Sequence, residues 1–134
     1  MKLYLAGPMR GFEAFNHPAF HRAARLLRDL GHDVFSPAEH DNSVGLDTSG
    51  MAGDQEEYEA AGFSLRTLLA ADLAWICGEA DALVMMPGWE RSAGARAEAA
   101  VALALSLPVR DLARFLLYGC DAPAIKSRSE EKAG

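Results

Sequence analysis

Short apolar runs alternating with stretches of helical periodicity constrain this chain more than any other feature. Residues 2–6 (KLYLA) read as a strand stopped by Gly7-Pro8, and 32–35 (HDVF) as a second, closed by Ser36-Pro37. Residues 82–86 (ALVMM) form a continuous apolar run of the kind buried on both faces of a sheet. Between the first two, Phe20, Ala23, Ala24, Leu27 and Leu30 recur at helical spacing with Arg22, Arg25 and Arg28 opposite. Asn16 and Pro18 mark the start of that helix and Gly31 its end. A second helix is predicted over 63–77, with Leu65, Leu68, Leu69, Asp72, Trp75 and Ile76 on one stripe. A third, Ala-rich, opens at Ser92 and runs to about Leu107. Residues 107–109 suit a fourth short strand, and 111–119 a last helix or an irregular packing segment.

Strands and helices in strict alternation imply parallel βαβ units with right-handed crossovers. The expected fold is α/β, a small doubly wound parallel sheet of four or five strands with helices on both faces. Ligands of such sheets bind at the carboxyl ends of the strands, where the loops 7–16, 36–53 and 87–94 should meet. The segment 38–53 has no periodicity and reads as one long loop. It belongs to a stretch with no Lys or Arg between Arg28 and Arg66, whose acids (Glu39, Asp41, Asp47, Asp54, Glu56, Glu57 and Glu59) read as a solvated acidic face.

At 134 residues the chain suits one domain, expected over 1–125, with 126–134 (KSRSEEKAG) as a flexible charged tail. A formal net charge of −6 argues against nucleic-acid polymers and anionic membranes as partners. No apolar stretch reaches membrane-spanning length. Cys77 and Cys120 are far apart without a CxxC, consistent with free thiols in a reducing cytoplasm.

The chemistry-bearing residues gather on the three loops. Ser92 and Gly94 stand at a strand–loop–helix turn, where free N–H groups and the helix dipole favour an anion. Glu98 lies one turn deeper on the same face, a spacing that also fits a capping serine and an exposed glutamate. Asp72 interrupts an apolar stripe, so it needs hydrogen-bond donors or a raised pKa; an aspartate at the stripe's edge is the plainer alternative. Two carboxylates in unlike environments suit glycosidic bond cleavage. In the first loop Gly7, Met9, Arg10, Gly11 and Phe12 are candidate substrate contacts, with Arg10 able to complete an anion clamp. Phe12 and Trp89 suit base stacking or core packing equally. Tyr4 either aims its hydroxyl at the site or bonds a backbone carbonyl. His17 and His21, spaced i,i+4, and His40-Asp41 lack the companions of a metal motif, so neither metal nor cofactor is expected.

Taken together, YLAGPMRG (4–11), DLAWICGEADALVMMPGWE (72–90) and SAGARAE (92–98) resemble the nucleoside 2-deoxyribosyltransferase-like superfamily, over about residues 2–109. The nearest likeness is to a small branch frequent in bacteriophage and bacterial genomes. The resemblance implies a Rossmann- or flavodoxin-like sheet, with Glu98 as a nucleophile forming a glycosyl-enzyme. It implies Asp72 beside the departing base, Tyr4 holding the nucleophile, and Ser92–Gly94 at the 5′ end of the sugar. Arg10-Gly11 and Ser92 agree with the 2′-deoxynucleoside 5′-phosphate N-hydrolases, whereas Pro8 departs from them, a phosphate-binding serine standing there in those enzymes. The expected reaction is hydrolysis of a nucleoside 5′-monophosphate to free base and sugar phosphate. The alternatives are base exchange by a deoxyribosyltransferase and a non-catalytic nucleotide-binding module. Members of the superfamily assemble as dimers or larger, and the apolar helix 93–107 suits such an interface.

Overall fold

The computed structural model describes residues 1–125; the expected tail at 126–134 lies outside the described residues. Four parallel strands, β1 (Lys2–Ala6), β2 (Asp33–Phe35), β3 (Ala82–Met85) and β4 (Val109–Asp111), form one sheet in the order β2-β1-β3-β4. Six α-helices connect or follow them: α1 (His17–Asp29), α2 (Pro37–Ser43), α3 (Gln55–Ala60), α4 (Leu65–Glu79), α5 (Ala93–Ala104) and α6 (Leu112–Tyr118). This is the doubly wound α/β arrangement expected from the alternation.

Alternation along the strands decides which helix sees which side chain. Leu3, Leu5, Ala82, Val84 and Met86 pack with Phe20, Ala24 and Leu27 of α1 and Phe115 of α6. Tyr4, Ala6, Leu83 and Met85 face the other way, onto Ile76 of α4 and Ala95, Ala99 and Ala102 of α5. Leu30, expected on the α1 stripe, is exposed just before the turn at Gly31. Asn16 stands at the start of α1, but its side chain caps nothing. It donates to the Pro8 carbonyl at 2.9 Å and so ties α1 to the first loop.

Two expectations about the second loop are corrected. Residues 37–43 form α2 inside the stretch expected as one loop, with Pro37 at its first position; beyond that stretch 55–60 form α3, opened by Glu57 Oε1 accepting from Asp54 N–H at 2.9 Å. The acidic stretch is also not uniformly solvated: Asp41 is 4% exposed.

The chain leaves β1 for β2 on one side and β3 lies on the other, so β1 and β3 flank the crevice where strand order reverses. Gly7 lets the two strand exits close up there, since a Cβ would stand 2.8 Å from Met86 Cβ. The first loop is then zipped to residues 51–53 by Gly11 N–H to Gly53 O and Ala14 N–H to Met51 O, both at 2.8 Å. Beneath that seam Phe15, Leu46, Tyr58 and Leu68 make a small separate core.

Gly53 is required at the seam. Its φ is +106°, and a Cβ would strike the Phe12 carbonyl oxygen and stand 2.7 Å from Phe12 N. Gly53→Ala should cost about 2–5 kcal/mol in chemical denaturation, from backbone strain and a clash together. Gly11→Ala, at φ +86° with open space around it, should cost about 1–2 kcal/mol. Equal costs would contradict the assigned close approach.

Candidate active site

Tyr4 is the residue from which the site is built. It occupies the middle of β1, fully buried, and its ring stacks on Phe35 (centroids 5.5 Å apart), which in turn stacks on Trp75 (4.9 Å). The hydroxyl thus has one direction to point, and it donates a hydrogen bond to Glu98 Oε2. Glu98 projects from α5 and is 5% exposed, a burial that a carboxylate tolerates only with donors.

Above Glu98 lies the N-terminus of α5. Ser92 Oγ accepts from Ala95 N–H at 3.2 Å as the helix cap. This leaves the N–H groups of Ala93 and Gly94 without an intrahelical acceptor. A cavity of about 190 Å³ opens beside them. It is lined by Ser92–Ala95 and Glu98 from α5, Gly7, Met9 and Arg10 from the first loop, and Leu65, Leu68, Leu69 and Asp72 from α4. Pro37, Asp41 and Tyr58 complete the wall.

The acids of this cavity are not ordinary carboxylates. Burial, reinforced by the Asp72 charge and opposed by the Tyr4 hydrogen bond, pushes Glu98 up to about 8. Burial, together with the Asp41 charge, pushes Asp72 up to about 7, again opposed by Tyr4. Burial and the two neighbouring carboxylates raise Tyr4 well above the usual phenol range, so it stays a donor. The pair Asp72–Glu98 therefore titrates together and retains protons near neutrality. Tyr4 donates to Glu98, the one contribution that eases ionisation of a carboxyl that burial otherwise keeps protonated.

Of the residues singled out in the sequence, Tyr4, Gly7, Met9, Arg10, Asp72, Ser92, Gly94 and Glu98 converge at this cavity. Arg10 is exposed at its mouth and donates to Gln55 Oε1 at 3.1 Å. Gly11, Phe12 and Trp89 do not line it. Gly11 belongs to the seam with Gly53, Phe12 is largely exposed, and Trp89 packs against the α4/α5 side of the core.

Asp41 and Tyr58 are wall residues that sequence reasoning missed. Asp41 is held from behind: His17 Nε2 lies 3.2 Å from its Oδ2, and His17 Nδ1 lies 3.0 Å from Thr48 Oγ1. A carboxylate accepts only, so Nε2 is the protonated nitrogen. All three side chains are buried, and no cluster of three or more metal-ligating side chains occurs among the described residues. The polar, acidic context hid Asp41, while the i,i+4 pairing of His17 with His21 drew attention to the wrong partner.

A four-stranded parallel sheet with paired acids at its switch point defines an α/β protein of the 2-deoxyribosyltransferase-like fold. A solved structure of a 2-deoxyribosyltransferase from the psychrotolerant bacterium Bacillus psychrosaccharolyticus is 26% identical, with a TM-score of 0.55, over 83% of this chain and 71% of that one. The chain belongs to the family described as a domain of unknown function, DUF4406, whose model matches residues 1–111. No curated protein matches the sequence. No helix among the described residues is long and apolar enough to cross a membrane.

The raised acids make stability depend on pH. Unfolded, both carboxyls ionise in the ordinary range; folded, they hold protons up to about 7 and about 8. The folded state binds more protons across that interval, so their contribution is fully present below the ordinary carboxylate range and is lost as pH rises towards 8. Glu98→Gln removes the Glu98 share. Its melting temperature should gain on the wild type between about pH 5 and about pH 8; a constant difference would contradict the assigned burial.

Proposed function

We propose that this protein cleaves the N-glycosidic bond of a nucleoside 5′-monophosphate, deoxyribose being the preferred sugar, through a covalent glycosyl–Glu98 intermediate. The observation that carries this reading is the buried Tyr4–Glu98 hydrogen bond beneath the open N–H groups of Ala93 and Gly94. An anionic 5′ end held at that helix terminus places the anomeric carbon one helical turn down, at Glu98.

Each residue then has a task. Ser92, Ala93, Gly94 and Arg10 receive the phosphate. Glu98, its charge favoured by Tyr4, attacks the anomeric carbon as the bond to the base lengthens. Asp72 gives its proton to the departing base, so the leaving group departs neutral. Water attacks the glycosyl ester, Asp72 takes a proton from it, and free base and sugar 5-phosphate result. Leu65, Leu68 and Leu69 line the same cavity as an apolar wall for the planar base. The site needs no cofactor in this scheme.

A second reading, transfer of deoxyribose to an acceptor base, is favoured by the likeness to a 2-deoxyribosyltransferase. It uses the same Glu98 ester and differs in what attacks it. The two readings also part at Arg10, since a neutral 5′-hydroxyl needs no cation. In cells we propose a cytoplasmic homodimer or larger homo-oligomer acting on small nucleotides.

Glu98→Gln should lower base release by about 10³-fold or more while monophosphate binding persists; near-normal turnover would remove the mechanism. Arg10→Ala should raise KM for monophosphates about tenfold and leave nucleosides unaffected. Equal effects on both, with base exchange outpacing hydrolysis, would favour the transferase.

A further inference from the structure

We propose that Asp41 reads the far edge of the bound base and selects bases that carry an exocyclic amino group there. This rests on the nucleoside-site reading above and adds what that reading lacks, a source of base preference.

The acids stand in sequence along the cavity. Glu98 lies under the α5 terminus and interacts with Tyr4 and Asp72. Asp72 interacts in turn with Asp41. Asp41 also sits with Tyr58, and it is not among the charges that act on Glu98. A sugar at Glu98 and a leaving nitrogen at Asp72 therefore send the rest of the base towards Asp41, along the wall of Leu65, Leu68 and Leu69.

Asp41 is built to accept. The residue is 4% exposed, yet it lines the cavity. Oδ2 takes His17 Nε2 at 3.2 Å and the Tyr58 hydroxyl at 3.5 Å. Oδ1 has no partner among the described residues. The Thr48–His17 chain fixes the group from behind, so it does not reorient to suit a different ligand. In a pyrimidine the C4 substituent stands across the ring from the glycosidic nitrogen; in a purine the C6 substituent holds the corresponding far edge. An amino group there donates to Oδ1. A carbonyl there turns a lone pair towards a carboxylate and leaves both unsatisfied.

Cytosine against uracil and adenine against hypoxanthine are near-isosteric pairs that differ in this one group. We would measure kcat/KM for their 2′-deoxynucleoside 5′-monophosphates and for the nucleosides, and calorimetric affinities for the same compounds in Glu98→Gln protein. The wild-type site should favour the amino member of each pair about 10- to 100-fold. Asp41→Asn, whose carboxamide can also donate, should bring that ratio close to one or invert it. Equal treatment of amino and oxo bases by the wild-type site overturns the proposal, and so does an unchanged ranking in Asp41→Asn. Amino-selective binding without any base release would leave Asp41 as the reader and defeat the catalytic reading. Turnover without selectivity would do the reverse, and no binding of any compound would defeat both.

Discussion

A carboxyl group buried at the centre of an α/β crevice is expensive unless something donates to it, and here the donor is a strand residue. The Tyr4 hydroxyl reaches Glu98 because three independent placements agree. Strand alternation turns Tyr4 towards α4 and α5, Phe35 and Trp75 fix its ring, and α5 starts close enough to β1 for Glu98 to lie over it. If any of these failed, Glu98 would lose the donor that offsets part of its burial. The hydrogen bond is thus what converts a packing position into a chemical one.

The same crevice concentrates three acids, Glu98, Asp72 and Asp41, with Arg10 at the mouth. Crowding of this kind destabilises a fold at neutral pH and is retained where the chemistry needs it. The three are not equivalent. Glu98 has the tyrosine; Asp72 has a carboxylate neighbour on either side; Asp41 has an imidazole and a threonine behind it. Differences in what surrounds each carboxyl, rather than in the carboxyls themselves, set the three apart.

Much of this architecture was readable from the chain alone. The run 82–86 could only be a strand buried on both faces, and the periodicity from Phe20 to Leu27 has one helical solution. Asp72 announced itself as a polar residue in an apolar stripe, and the Ser92–Glu98 spacing is local to one helix. What escaped notice depended on contacts distant in sequence. The seven residues of α2 are too few and too polar to show a period, so Asp41 looked like one acid among many. Its burial is created by His17 and Thr48, contributed from α1 and from the loop beyond α2, and nothing near Asp41 in the chain signals either. Trp89 illustrates the converse: a loop aromatic beside the right strand turned to the core instead of the cavity.

The most direct test of the account is chemical. Protein mixed with a 2′-deoxynucleoside 5′-monophosphate, quenched in acid within milliseconds and digested with pepsin, should yield one peptide heavier by a deoxyribose 5-phosphate unit, with fragmentation placing the ester on Glu98. An adduct on any other residue, or base release with no adduct at any quench time, would contradict the central role assigned to the Tyr4–Glu98 pair.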